Sequence, residues 1–185
     1  MSSKNFSRTN KAALSIEAPI KRIPPETSAF FGDILKRGLQ LSLRTTGRSM
    51  APFLRGGEIL TIKKVPADSL RIGDLIFFKT HEGFPLIHRI VKRQQEEHGS
   101  LFHTKGDAVL GMDDMISEIN ILGKVCRVEQ VSRDSKGREI DMESRLQQYL
   151  NYISAMLSLA KTRIYSTAAR ILPLFLRKTL KKIFI

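Results

Sequence analysis

Residues 74–93 read DLIFFKTHEGFPLIHRIVKR and contain two runs of apolar and β-branched residues, 74–79 and 86–93, on either side of a turn with Gly83 and Pro85. Short runs bounded by turn residues are typical of paired β-strands. Four more runs of this kind are separated by Gly, Asp and Pro: 39–45, 58–63, 100–105 and 121–131. The sequence therefore predicts a mainly β fold, with a compact and mostly antiparallel domain in the middle of the chain.

The segments on either side of this domain have different patterns. Residues 1–25 are polar and basic and end in Pro24-Pro25, which predicts a flexible basic tail. Apolar residues at helical spacing predict a short helix over 28–37, ended by Gly38. From residue 142 the helical spacing returns, with a kink or restart at Pro173. We thus predict three parts: the tail 1–25, a folded domain 26–141 and a basic amphipathic helical extension 142–185.

The charge of the chain is strongly positive and uneven. The 185 residues have a formal net charge of +13, and the last 44 contain eight Lys/Arg and one acid, Glu143. Such charge attracts nucleic acid or an anionic bilayer. The amphipathic pattern of 142–185 suits an anionic membrane surface, and nucleic acid is not expected as a partner. A helix packed on the β domain or on a second subunit is the alternative, and the oligomeric state is left open.

Several classes of protein are excluded by composition. The single cysteine, Cys126, cannot form an internal disulfide, and no Cys/His pair has the close spacing of a structural zinc site, so neither metal nor cofactor is expected. The N-terminus has no apolar stretch typical of a secretory signal, and no run of about 18 apolar residues predicts a membrane span. We expect a cytoplasmic protein or a peripheral protein on the cytoplasmic side of a membrane.

Three segments contain the candidate catalytic residues. Ser49 follows Gly47 and precedes Pro52, a setting in which a turn displays the hydroxyl. His88 lies in a β-type run, on the same face as Leu86 and Ile90. The third segment is a Gly- and Asp-rich turn after another strand, and its acids are Asp107, Asp113 and Asp114. Taken singly, each segment also fits a purely structural interpretation, as a turn serine, a buried core histidine and an ordinary Asp/Gly turn.

Taken together, the three segments resemble the signal peptidase I family in their order and context, over residues 43 to 128. The resemblance rests on residues 47–52 (GRSMAP), 73–78 (GDLIFF), 88–91 (HRIV), 105–107 (KGD) and 122–125 (LGKV). It is closest to the branch with a histidine base, found in endoplasmic-reticulum, archaeal and sporulation-type enzymes. The fold that the resemblance implies is the antiparallel β peptidase domain of the LexA/signal peptidase type.

The resemblance also implies roles for individual residues. Ser49 is the expected nucleophile of a serine endopeptidase and His88 its base, with the Ser49 backbone N–H as first candidate for the oxyanion donor. Asp107 is the expected support for the histidine, Asp113 is the second matching position and Asp114 competes for that second role. The expected substrate is a leader or signal-type peptide or a dedicated protein. Two alternatives stay open: a self-cleaving regulator similar to LexA, and a non-catalytic peptide-binding module.

Overall fold

The computed structural model describes residues 13–16, 24, 26–97, 99–130 and 137–171. Within these residues nine strands form one sheet, and two α-helices accompany it. The strands are β1 (Ala13–Ile16), β2 (Gln40–Arg44), β3 (Ile59–Lys63), β4 (Leu75–Lys79), β5 (Pro85–Glu96), β6 (Gly99–Lys105), β7 (Ile116–Ser117), β8 (Ile121–Gln130) and β9 (Arg138–Asp141). The helices are α1 (Thr27–Lys36) and α2 (Arg145–Ile171).

The sheet has the order β1-β2-β3-β8-β4-β5-β6-β7, and β9 pairs with β8. Every pairing is antiparallel except that of β1 with β2. The predictions of a mainly β, mostly antiparallel fold and of a short N-terminal helix are therefore confirmed. All six predicted strands are present, with ends that differ by a few residues.

The strand β4 lies at the centre of the sheet and is buried on both faces. Leu75 and Phe77 belong to one apolar cluster, which α1 covers with Phe31 and Leu35. Ile76 and Phe78 belong to a second cluster on the other face. Since alternate side chains of a strand point to opposite faces, a continuous apolar run is what a strand covered on both sides requires.

Three features differ from the sequence predictions. The predicted runs end at residue 93 and resume at residue 100, but β5 continues to Glu96 and β6 begins at Gly99, because ladder pairing extends the hairpin through these polar residues. Ala13–Ile16, predicted to be part of a flexible tail, pairs with β2 as β1. The short strands β7 and β9 had no recognised signal. The expected kink at Pro173 lies outside the described residues.

Helix α2 confirms the prediction of helical structure after residue 142, as far as Ile171. It packs closely on the turn before β4, where a Cβ atom on Gly73 would lie 2.7 Å from the Asn151 carbonyl carbon and the Tyr152 nitrogen. Gly73 also has a φ of 99°, which glycine adopts without strain. The helix is thus held directly against the strands that carry the candidate site.

Candidate functional site

Ser49 lies in the turn that follows β2. It is half-buried, and its carbonyl oxygen accepts a hydrogen bond of 2.8 Å from the Ala108 N–H. Ala108 belongs to the loop after β6, so two segments that are distant in sequence are joined at this point. The bond fixes the backbone of the serine against the loop that contains the candidate carboxylates.

His88 is presented by β5 and is almost fully buried. Its Nε2 atom lies 3.1 Å from Ser49 Oγ, and its ring packs against Phe78 with a centroid separation of 6.5 Å. The prediction that Leu86 and Ile90 share a face is confirmed, since both pack in the second apolar cluster whereas Ile87 lies in the first. The alternation of the strand therefore directs the imidazole towards the serine turn.

Asp113 completes the contact chain. Its Oδ2 atom lies 2.6 Å from His88 Nδ1 and also accepts a 2.7 Å hydrogen bond from Thr104 Oγ1. The Asp113 N–H donates to the Thr104 carbonyl oxygen at 2.9 Å, so Thr104 holds both the backbone and the side chain of the aspartate. An ionised carboxylate can only accept, which makes Nδ1 the donor. In a neutral ring Nε2 is then the acceptor for the Ser49 hydroxyl.

Asp107, the first choice for supporting the histidine, has a different partner. Both of its carboxylate oxygens accept from Arg89, at 2.9 Å from Nε and 2.7 Å from an outer nitrogen. Arg89 is completely buried and also donates to the Gly73 carbonyl oxygen and to Asn151. Asp114 is exposed. Of the three acids considered, the structure thus places Asp113 at His88 and Asp107 in a buried ion pair with the neighbouring arginine.

Gly106 occupies the narrowest point of the site. A Cβ atom there would lie 2.6 Å from the Ser49 carbonyl oxygen and 3.0 Å from His88 Nε2. Contacts this short are repulsive, so only glycine allows the loop after β6 to approach Ser49 and His88 this closely. The sequence pattern did not single out Gly106, Thr104 or Arg89 individually. Gly106 and Arg89 do lie in two of the motifs on which the resemblance rests, 105–107 and 88–91.

A buried lysine lies next to this point. Lys105 Nζ donates to the Gly106 carbonyl oxygen at 3.2 Å and lies 2.6 Å from Ser158 Oγ of α2. Burial and, second, the nearby charge of Lys161 lower the pKa of Lys105 from 10.5 to about 8, despite the opposing effects of Asp107 and Asp113. Lys105 thus joins α2 to the strand that supports the site.

A cleft opens beside Ser49 and His88. It has a volume of about 520 Å³ and is walled mainly by apolar and uncharged residues. From the side of the serine turn and β2 the lining residues are Thr45, Thr46, Gly47, Arg48, Met50 and Leu54; from the β4–β5 hairpin they are Thr80, Phe84, Pro85, Leu86 and Ile87. A concave apolar site with a few converging polar groups is typical of ligand binding. Ser49 and His88 themselves also line this cleft.

The described residues contain no group of three or more His, Cys, Asp or Glu that could hold a metal ion. Within their described ranges, neither α1 nor α2 combines the length and apolar composition needed to cross a bilayer. No model of a known protein family matches the chain, and no solved structure matches it.

Proposed function

We propose that this protein is a serine endopeptidase of the signal peptidase I type, in the branch with a histidine base. The observation that carries the proposal is the contact chain Ser49 Oγ to His88 Nε2, 3.1 Å, and His88 Nδ1 to Asp113 Oδ2, 2.6 Å. Nucleophile, base and orienting carboxylate at hydrogen-bonding distances form the arrangement that activates a serine. The mainly antiparallel sheet is compatible with a LexA/signal peptidase domain, which is the fold we propose.

The chemistry follows from the roles of the three side chains. The Ser49 hydroxyl attacks the carbonyl carbon of the scissile peptide bond while its proton passes to His88 Nε2. Asp113 holds the ring in the tautomer that accepts this proton and stabilises the imidazolium. His88 then gives the proton to the leaving amine, which leaves an ester on Ser49. Water, deprotonated by His88, hydrolyses the ester and restores the hydroxyl.

The oxyanion that forms on the substrate carbonyl needs donors preorganised beside the nucleophile. We assign the first of these to the Ser49 backbone N–H. The hydrogen bond from Ala108 to the Ser49 carbonyl oxygen supports this assignment, because it holds the serine backbone in one orientation. A donor that is already fixed needs no rearrangement when charge develops.

The proposed substrate is a peptide of the leader or signal type. The cleft that Ser49 and His88 line offers apolar contact from Met50, Leu54 and Phe84. An apolar peptide segment would bury its side chains there and present its backbone to the serine. Among the described residues that line the cleft, Arg48 is the one Lys, Arg, Asp or Glu, so a basic substrate side chain would find no carboxylate partner there.

A serine-reactive probe, together with mass spectrometry of a peptide mixture, tests the proposal. We expect labelling and cleavage in the wild type and the loss of both in Ser49→Ala and His88→Ala. Ser69→Ala is the matched control, since this serine is exposed and its hydroxyl donates to the Pro66 carbonyl oxygen, away from the site. Unchanged labelling and cleavage in both Ser49→Ala and His88→Ala would contradict the peptidase proposal.

The same experiment separates the two rival functions. A peptide-binding module would retain peptides without cutting them, and Ser49→Ala would leave retention and products unchanged. A self-cleaving regulator would yield fragments of this chain at a rate independent of protein concentration. We expect instead cleavage of added peptides, with a rate proportional to enzyme concentration.

A further inference from the structure

Helix α2 contacts the β domain through its polar and small side chains. Asn151, Ala155 and Ser158 are buried, and they recur at spacings of four and three residues, on one side of the helix. Asn151 accepts from Arg89, Ser158 bonds to Lys105, and Thr162 Oγ1 donates to the Leu110 carbonyl oxygen at 2.9 Å. The packed side of α2 is thus its least apolar side.

Four large apolar side chains of α2 are exposed on another side of the helix, whereas Ile153, Met156 and Leu159 are half-buried. Leu146, Leu150, Leu157 and Ile164 are 70%, 45%, 66% and 58% exposed. Their spacings of four and seven residues place them on one line along the helix, about 135° around from the packed side at 3.6 residues per turn. We call these four residues the exposed stripe. A soluble helix normally buries such a line, so its exposure indicates a surface that is covered by something else.

Cations lie to either side of the exposed stripe. At 100° per residue, Lys161 lies about 45° from its centre on one side, and Arg145 and Arg163 lie about 115° from it on the other. Residues 144–171 contain no Asp or Glu, and the following 14 residues add four Lys/Arg and no acid. An apolar line bordered by cations is the pattern of a helix that lies in the interface of an anionic bilayer.

A second copy of the chain fits this surface less well. Two stripes packed against each other would bring the bordering cations of both helices together, and α2 offers no acidic side chain to pair with them. Pairing of helices in water usually relies on opposite charges beside the apolar seam. Anionic headgroups supply that opposite charge, while the acyl chains accept the apolar side chains.

We propose that α2 binds to the surface of an anionic membrane through the exposed stripe. The helix lies in the plane of the interface, with Leu146, Leu150, Leu157 and Ile164 inserted and the cations at headgroup level. The packed side of α2 is bonded to Arg89, Lys105 and the loop before Asp113. The candidate site is therefore held close to the bilayer, separated from it by no more than the thickness of the β domain. Membrane binding through α2 does not need the peptidase activity.

Vesicle flotation of the full chain tests the inference. We expect binding to vesicles of phosphatidylcholine mixed with phosphatidylglycerol, little binding to phosphatidylcholine alone, and release as salt is raised. The double variant Leu157→Gln/Ile164→Gln should bind at least about tenfold more weakly, since two large apolar side chains no longer insert. Ile119→Gln is the control, because Ile119 is 87% exposed but lies far along the chain from α2.

Three results would overturn the inference. One is no binding of the wild type to anionic vesicles. Another is binding that is unchanged in the double variant but is lost when the four Lys/Arg after residue 171 are replaced by Gln. That result would assign the membrane contact to residues after α2. The third is a dimer in sedimentation that the double variant dissociates, which would assign the stripe to a second copy. Ser49→Ala should float like the wild type, so loss of peptidase activity and loss of membrane binding are distinguishable.

Discussion

The Asp113 carboxylate lies 2.6 Å from His88 Nδ1, although the two residues are 25 positions apart in the sequence. The loop after β6 turns back so that the Asp113 N–H bonds to the Thr104 carbonyl oxygen, and this return places the carboxylate beside the ring. Asp107, closer in sequence to the strand, faces Arg89 instead. Two acids of one loop therefore have different tasks, and mutation can separate them.

Asp113→Asn should reduce the rate of probe labelling and of peptide cleavage by about 10²- to 10⁴-fold, because an amide does not hold the accepting tautomer of His88 or stabilise its cation. The free energy of unfolding should change little by comparison, since the side chain is partly exposed. Rates measured under single-turnover conditions, with circular dichroism as the folding check, test this. Activity equal to the wild type would show that another carboxylate serves His88.

Asp107→Asn should act mainly on stability. It leaves the buried Arg89 charge without its carboxylate partner, and we expect a loss of roughly 3 kcal/mol in the free energy of unfolding. Asp68→Asn is the matched control, because its ion pair with Arg93 is exposed and should contribute less than about 1 kcal/mol. Urea unfolding of both variants is the measurement. Equal losses would contradict the structural role assigned to Asp107.

Gly106→Ala should abolish most of the activity, because the added methyl group would lie 2.6 Å from the Ser49 carbonyl oxygen and must displace the serine or the β6 loop. Gly111→Ala, in the same loop, has no atom within 4 Å of its added methyl group and should stay active. Rates of probe labelling for the two variants check the prediction. A Gly106→Ala variant with normal labelling would mean that the close approach is not needed.

Lys105 should make stability depend on pH in the alkaline range. Since its pKa is about 8 in the folded protein and its ordinary value is 10.5, the unfolded chain binds more protons between these values. The free energy of unfolding contributed by this group therefore rises as pH increases from about 8 to 10.5. Below pH 8 both states are protonated, and the cost of the buried charge is present in full.

Lys105→Met removes this titration while keeping most of the side-chain volume. We expect the difference in unfolding free energy between wild type and variant to shift in favour of the wild type as pH rises through that window. Urea titrations at several pH values measure it. Parallel stability curves for the two proteins would contradict the lowered pKa of Lys105.

Much of the fold could be read from the sequence. Alternation and turn residues predict β4 and the first half of β5, since a strand needs apolar side chains on each covered face and Gly or Pro at its ends. The polar half of the β5–β6 hairpin could not be predicted in this way, because backbone pairing between adjacent strands maintains it without apolar residues. The two-residue strand β7 is too short for any periodic signal.

The sequence by itself determined that Ser49 lies on a turn and that His88 shares a strand face with Leu86 and Ile90. It also determined that acidic residues follow the strand β6. These are local properties, set by residue type and by the period of two. Only the tertiary structure decided which acid meets the histidine, because that depends on the path of a loop and on the competing arginine at position 89. It also decided which side of α2 packs. Hydrophobic periodicity reveals an apolar side, but the close approach to Gly73 and the partners Arg89 and Lys105 direct the small, polar side inward.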